Sequence, residues 1–596
     1  MANMHANAVK NATSANGTMM RISTSIEAAS VRPSPPLGHL PHRRDIADDC
    51  PCGEDALIPF GSSHGGNLMQ RTAPLFVFLS ALALMLAVFA GCAPAERPAA
   101  GIQVFEASLE DLQQAIMAGD ASCAAVIEAH LARIEAFDTA RGLGAITFLN
   151  PDARAHAADL DAALARDEAL GPLFCAPLLI KDNFDTHDLP TTAGSITLAE
   201  HRPDADAFVV ARLRAAGAIV LAKTNMGEWA FSPRQTVSSS HGRTANAYAP
   251  ARTPAGSSGG TASGVAASFG VAGLGTDTGN SVRGPSAHLA LVGLRPTLGL
   301  VSRGGIVPLA LDRDTAGPMA RSVRDAARLL NVMAGTDPDD PYTTLADTRR
   351  AADYTATLDR EALQGRRIAV LWPHANPEDS HPEVAALFAR AREDLEQLGA
   401  TLLHAWSLPD LETLLTPELF CGRFRYDMAR YLERQGAAAP MTDVAEVLER
   451  GQYSPDVETN LRRALETGVD QHPGETNPNC REFDAHVGRQ ALLAAVTAAM
   501  DADSVDALVF PTWAHPPAPQ ETAVEDYRGD NSQGLVPAAG LPAVTVPMGM
   551  LWGELPAGLQ FAGRRWDDAL LLALAYAYEQ ETAHRRPPRR FPPLTP

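Results

Sequence analysis

Apart from Lys10, the chain holds only two lysines, Lys181 and Lys223, against 46 arginines. Arginine carries surface charge as well as lysine does, but its guanidinium keeps its proton inside a protein, whereas a buried lysine can become a neutral amine and act as a base. Lys181 sits in the run Pro177-Leu178-Leu179-Ile180-Lys181-Asp182-Asn183, which reads as a buried strand delivering its last residue to a loop edge. Scarcity alone leaves two readings open: a base, or an ordinary buried ion pair with Asp182. A second segment, residues 254–286, is dense in Gly, Ser and Thr and nearly free of bulky side chains. Glycine there lets several backbone N–H groups converge on one point, a geometry wanted by phosphate binding and by oxyanion stabilisation. Phosphate is the weaker reading, since no G-x-x-x-x-G-K-[ST] occurs and Gly-Lys is absent. Gly256-Ser257-Ser258-Gly259-Gly260 satisfies G-x-S-x-G, but a nucleophile elbow needs a strand before it, and Ala249-Pro250-Ala251-Arg252-Thr253-Pro254 is not one. Val265, Phe269, Val271 and Leu274 give the segment apolar anchors that a flexible linker would lack.

The elements around these segments follow α/β grammar. Ser108 and Asp111 open a helix in a capping-box arrangement, and a second helix runs from Ser122 to Ala136 with Val126, Ile127, Leu131 and Ile134 on one face. A strand at 177–180, a helix at 206–216 and a strand at 218–221 come next. The pattern returns with a strand at 368–371, a helix at 382–398, strands at 507–510 and 543–546, and a helix at 567–582. No internal repeat or strong linker divides residues 105–588, so one large α/β domain is expected, followed by a tail at 589–596. Residues 340–500 are poorer in strand signals and suggest an insertion or cap.

At 596 residues and 46% hydrophobic content the chain can bury a large core. Its formal charge is −21, all of it beyond residue 92, and no run of five basic residues occurs, which argues against a nucleic-acid partner. The seven cysteines show no metal-ligand spacing, and Cys50-Pro-Cys52 lacks a second pair. From Met69 the chain reads Met-Gln-Arg, then an uncharged stretch from Thr72 to Ala90, then Gly91-Cys92. These are the parts of an export signal, and Phe89-Ala90-Gly91-Cys92 resembles a bacterial lipobox with Cys92 as the lipidated residue; an uncleaved transmembrane anchor and a buried core helix are the other readings. Residues 1–68 lack periodicity and read as disordered, with Met69 the expected start, and residues 93–104 read as a linker. The placement expected is the cell envelope, exported and anchored in the membrane.

The order of these blocks carries a resemblance. Gly256-Ser257-Ser258-Gly259-Gly260 followed by Gly275-Thr276-Asp277-Thr278-Gly279-Asn280-Ser281-Val282-Arg283, with Lys181-Asp182-Asn183 and Lys223-Thr224-Asn225-Met226 upstream, is similar to the amidase signature family of serine hydrolases. Gly540-Leu541-Pro542-Ala543-Val544-Thr545-Val546-Pro547 and Gly558-Leu559-Gln560-Phe561 fit as well, so the likeness spans about residues 105–588. It implies a single α/β domain with a mixed β-sheet core and helices on both faces, and a Ser–Ser–Lys triad. Carried across by position, Ser281 is the nucleophile, Ser257 the bridging serine after a cis Gly256–Ser257 bond, and Lys181 the base. Backbone N–H groups of Thr278, Gly279, Asn280 and Ser281 would form the oxyanion hole, with Ser258, Asp277 and Arg283 in support and Lys223 pairing structurally, with Glu228 as its partner. Asn280 stands where the family usually has glycine, and a tolerated left-handed backbone would let the turn survive. The resemblance implies no metal and no cofactor. The activity expected is cleavage of a carboxamide C–N bond on a small-molecule substrate. The alternatives are the glutaminase subunit of a tRNA-dependent amidotransferase and a catalytically silent envelope binding protein.

Overall fold

Ser108 accepts a hydrogen bond from the Asp111 amide at 3.1 Å while the Asp111 carboxylate accepts from the Ser108 amide at 2.9 Å, a full capping box on helix α1 (Leu109–Met117). Such a cap contributes about 1 kcal/mol by satisfying amides that have no partner within the helix. Helix α2 (Cys123–Phe137) starts one residue after the predicted Ser122. The computed structural model describes residues 102–372 and 374–594. The segments at 1–68 and 69–92, with Cys92, lie outside the described residues.

Strand β1 (Ile146–Leu149) is followed by β2 (Pro177–Lys181), α3 (Phe208–Ala215), β3 (Ile219–Thr224), α4 (Gly259–Ala266), β4 (Ala272–Thr276) and α5 (Arg283–Ala287). Next come β5 (Val292–Arg295), β6 (Ala316–Ala320), α6 (Val323–Met333), β7 (Arg367–Leu371), α7 (Pro382–Gln397), β8 (Thr401–Trp406) and α8 (Phe424–Gln435). Helix α9 (Val487–Ala502), β9 (Ala507–Pro511), β10 (Ala543–Leu551), β11 (Leu555–Ala562) and α10 (Asp568–Thr582) follow. The eleven strands form one mixed sheet in the order β1-β3-β2-β4-β6-β5-β10-β11-β9-β7-β8. Strands β3, β2 and β4 run parallel at one side and β9, β7 and β8 at the other, with antiparallel pairs between them. Helices flank the sheet, which accounts for strands such as β2 and β9 that are buried along their whole length.

The expected strands and helices at 177, 219, 367, 382, 507, 543 and 568 are present within a few residues. Strands β4, β5, β6 and β11 went unread because no alternation marks them: they are buried throughout and carry Gly273, Gly275, Gly293, Gly317 and Gly558. Those glycines answer to close packing. A Cβ on Gly273 would lie 2.5 Å from both the Leu179 carbonyl oxygen and Thr261 Cγ2. Residues 340–500 divide in two. The β7–α7–β8 unit extends the sheet edge, whereas Met428, Tyr431, Leu432, Val447 and Leu461 form a separate apolar cluster that closes on Trp229, Leu198 and Val307.

Disulfides join Cys123 to Cys175 and Cys421 to Cys480, across sequence separations of 52 and 59 residues. Cross-links of that span remove about 4 kcal/mol of unfolded-chain entropy each in the loop-closure account. The longest helices described, α7 and α9, have 16 residues, short of the roughly 20 apolar residues a bilayer span needs. Among the described residues no helix is long and apolar enough to cross a membrane.

Candidate active site

Strand β2 ends on Lys181, and its parallel neighbour β4 ends on Thr276. The register sets Ile180 opposite Leu274 and Lys181 opposite Thr224 of β3, so these ends meet at one edge of the sheet. Lys181 Nζ donates to Ser257 Oγ at 2.8 Å and to Thr276 Oγ1 at 2.7 Å, with all three side chains buried. Ser257 follows a cis peptide bond from Gly256. It stands just before α4, which presses close to β3: a Cβ on Gly260 would lie 2.2 Å from the Asn225 carbonyl oxygen. Burial pushes the Lys181 ammonium down to about 7, against the pull of Asp314 and Asp277, which favour the charged form. A large neutral fraction is therefore present near neutral pH, and a neutral amine can accept the Ser257 proton.

Lys223 has a different setting although it lies on the adjacent strand. It is opposite Ile180 in register, one residue out of step with Lys181, and alternation in a strand sends the two side chains to opposite faces. Its Nζ donates to the carbonyls of Phe184 (2.7 Å) and Pro190 (3.0 Å) and to Thr191 Oγ1 (2.9 Å), and lies 3.3 Å from Asp182 Oδ1. The expected partner Glu228 is elsewhere. Its carboxylate accepts from Ser239 and from the Ser454 amide, because β3 carries Lys223 away from it.

Ser281 occupies the turn between β4 and α5. Its Oγ has Asn280 Oδ1 as a partner at 3.5 Å, and among the described residues no hydrogen bond joins it to Ser257 Oγ. The first link of the expected relay is closed and the second is open; catalytic hydrogen bonds commonly tighten on forming the substrate complex. Around it, the amides of Thr278, Gly279, Asn280 and Ser281 donate to no protein acceptor among the described residues, while the Asp277 amide donates to Thr315 and the Val282 amide to Asp277. Buried amides almost always find partners, so consecutive open donors at a cleft wall are suited to a developing oxyanion.

Asp277 sits beneath this turn. Its carboxylate accepts from Arg283 Nη2 at 3.1 Å, Arg295 Nη1 at 2.9 Å and the Val282 amide at 3.2 Å. Burial alone would raise its pKa, but Arg283 and Arg295 outweigh it and hold the group below the usual carboxylate range. Ser258 Oγ donates to the Thr276 carbonyl at the end of β4, at 3.4 Å. Asn280 is not among the left-handed residues, so the tolerance expected of asparagine is not what accommodates it. Its Nδ2 instead donates to Asp530 Oδ2 at 2.7 Å. Asn280→Gly is expected to lower stability by about 2 kcal/mol, the worth of a hydrogen bond to a charged partner, and to leave kcat nearly unchanged. Urea denaturation and steady-state kinetics check the two halves.

The turn opens into a cleft of about 440 Å³ whose lining includes Phe231, Leu309, Arg313, Phe420, Tyr527 and Gln533. A hollow of about 180 Å³ shares Phe231, Leu309 and Phe420 with it and adds Phe424, Asn460, Arg423 and Arg463. Of the nearby aromatics, Trp229 is core, His288 packs against Trp513 with ring centroids 4.5 Å apart, and Tyr426 packs on His472. Sequence reasoning missed Thr276, Arg295, Asp314 and Asp530. Thr276 lies in a quoted block, whereas Arg295, Asp314 and Asp530 reach the turn only through folding. Asp314 accepts from Thr278 Oγ1 and from the amides of Leu309 and Ala310, and so holds the oxyanion loop.

Three comparisons bear on this geometry. The family model described as Amidase matches residues 125–572. The A subunit of glutamyl-tRNA(Gln) amidotransferase from Thermosynechococcus vestitus is 34% identical over 500 residues, covering 81% of this chain and 99% of that one. Its counterpart from Chloroflexus aurantiacus is 36% identical over 501 residues, covering 80% and 97%. Among solved structures, native peptide amidase from Stenotrophomonas maltophilia superposes with a TM-score of 0.73 at 36% identity, over 81% of this chain and 98% of that chain. The expectation of an exported, membrane-anchored protein is corrected by these findings. The two curated relatives named above are subunits of an enzyme named for glutamyl-tRNA.

Proposed function

Because the chain belongs to the amidase family and acts on amide C–N bonds, we propose that Ser281 is its acylated nucleophile, with Ser257 and Lys181 relaying the proton. The observation that carries this is the fully buried Lys181–Ser257 contact of 2.8 Å, made by a lysine pushed down to about 7. Neutral Lys181 takes the Ser257 proton as Ser257 takes that of Ser281, and Ser281 Oγ attacks the carbonyl carbon. The oxyanion that forms is met by the open amides of residues 278–281, each such donor worth roughly 3–4 kcal/mol in the transition state. The proton returns to the leaving nitrogen, the C–N bond breaks, and water cleaves the acyl ester to release carboxylate. An ester would also be accepted, since alkoxide leaves more readily than amine.

A second reading concerns where the ammonia goes. The curated relatives favour the glutaminase component of an amidotransferase, which cleaves glutamine and hands ammonia onward. An exported placement would have kept the chain from aminoacyl-tRNA, and that placement is withdrawn. The acidic charge of −21 still opposes direct contact with tRNA phosphates. Both readings share the amide-cleaving half-reaction at Ser281.

A fluorophosphonate probe is expected to label the full-length protein, and Ser281→Ala to abolish labelling. Labelling of the alanine variant at the wild-type rate defeats the nucleophile assignment. Ammonia release from L-glutamine, measured beside a panel of peptide and simple carboxamides, separates the two readings. A strong preference for glutamine supports the amidotransferase reading, and turnover of other amides with glutamine ignored supports a free-standing hydrolase.

A further inference from the structure

Arg313 lines the cleft that holds Ser281 and the open amides, and it is the only charged side chain among the described residues of that lining. It is 6% exposed, yet among the described residues its side-chain nitrogens form no hydrogen bond or ion pair, and its Nε is a buried donor with no partner. Both sequence neighbours are acids, and among the described residues neither forms an ion pair with it, although Asp312 Oδ1 has no partner. Asp312 accepts from Arg489 Nη1 at 2.8 Å, and Asp314 accepts from Thr278 and the amides of Leu309 and Ala310. Nearby Arg295 is taken by Asp277. The guanidinium carbon lies 5.2 Å from the Phe420 ring centroid, so the ring orients the group and leaves its donors at the cleft.

An unpaired buried cation is expensive, and native proteins pair such groups or use them. Burial and the neighbouring Arg489 both weigh against the charge on Arg313, and the nearby acids do not make up the difference. A planar guanidinium with free forked donors matches a carboxylate in a bidentate arrangement. We propose that Arg313 binds a carboxylate on the substrate, so that this cleft selects amides that carry an anionic group near the scissile bond. The selection rests on the Ser281 reading for its chemistry, but the binding itself does not. In the adjoining hollow, Phe231, Leu309 and Phe424 would take the aliphatic part of such a molecule, with Arg423 and Arg463 also on its wall.

Two matched pairs of probes test this: succinamic acid with butanamide, and adipamic acid with hexanamide. Binding is read in the Ser281→Ala protein as stabilisation against thermal unfolding, which needs no turnover. The acids are expected to raise its unfolding temperature and the neutral amides not to, and adding Arg313→Met is expected to remove the acid effect. In the wild-type protein, Arg313→Met is expected to lower kcat/KM for an acid about 100-fold, mainly through KM, as loss of one partner of a buried charge pair does. Turnover of the neutral partner should stay within about twofold, and Arg313→Lys should keep part of the acid preference. The unfolding temperature of Arg313→Met itself should not fall, because an apolar side chain replaces an unpaired cation. Equal stabilisation by acids and neutral amides, or an acid preference that survives Arg313→Met, overturns the proposal. Failure of the fluorophosphonate to label the wild-type protein, with acid-specific stabilisation intact, would sink the Ser281 reading and leave the anion site standing.

Discussion

Lys181→Met is expected to lower kcat about 10⁴-fold, in the range seen when the base of a coupled triad is removed. No other group can take over: the residues that line the cleft include no histidine and no carboxylate. His288 packs against Trp513 with ring centroids 4.5 Å apart and is pushed down to about 3 by burial. Lys181→Arg should be as inactive as Lys181→Met, since a guanidinium holds its proton. In the wild-type protein kcat/KM should rise with pH through about 7, where Lys181 becomes neutral, and level off above it. The same shift sets a stability effect of known sign. Lys181 has its folded-state pKa below the ordinary 10.5, so between about 7 and 10.5 the unfolded chain holds a proton that the native state has shed. Stability therefore gains from this residue as pH rises through that window and is lowest below it. Lys181→Met should remove that dependence and unfold no more readily than wild type at pH 6. Turnover within tenfold of wild type in either variant would defeat the assignment of the base.

Asp277→Leu is expected to destabilise the protein by about 3–5 kcal/mol, the range for removing one partner of a buried ion pair. The loss is large because one carboxylate serves two guanidinium groups, Arg283 at 3.1 Å and Arg295 at 2.9 Å, with all three side chains inaccessible to solvent. Burial lowers Arg295 to about 10 even with Asp277 beside it, so removing the carboxylate leaves that charge still less supported. The carboxylate also accepts from the Val282 amide, just after the nucleophile, so the turn should loosen and fluorophosphonate labelling should slow. The pH dependence follows from the depressed carboxyl. Its contribution is fully present above the ordinary value of 3.8 and is lost as pH falls through the lower folded value, so it adds to acid unfolding. Urea denaturation at pH 7 checks the magnitude, with Ser281→Ala as the control expected to change stability by less than about 1 kcal/mol. A loss below that level for Asp277→Leu would mean the two arginines find other partners.

Local chemistry made much of the fold legible. The Ser108–Asp111 spacing wrote a capping box, the apolar run before Lys181 wrote β2, and the long block from Gly256 to Arg283 marked the segment that holds Ser257, Ser281 and the open amides. Strands β4, β5, β6 and β11 were silent because glycines needed for close packing removed the alternation that marks a strand. The pairing of Cys123 with Cys175 and of Cys421 with Cys480 was beyond sequence reasoning, as seven cysteines allow many partners. Arg313 was one arginine among 46. Asp312 and Asp314 flank it in the sequence, and only the fold turned Asp312 to Arg489 and Asp314 to Thr278.

The two scarce lysines mark the same boundary. The sequence by itself placed Lys181 at the end of a buried apolar strand, and the order of the blocks pointed to it over Lys223. Which face each would occupy depended on the pairing of β2 with β3, where Lys181 stands opposite Thr224 and Lys223 opposite Ile180. That offset of one residue aims Lys181 at Ser257 and Thr276, two hydroxyls that leave it free to be neutral. It aims Lys223 at Asp182 and two backbone carbonyls, which engage it as a structural donor. Register is a relation between strands, set by contacts far apart in the chain, so no reading along either strand could have supplied it.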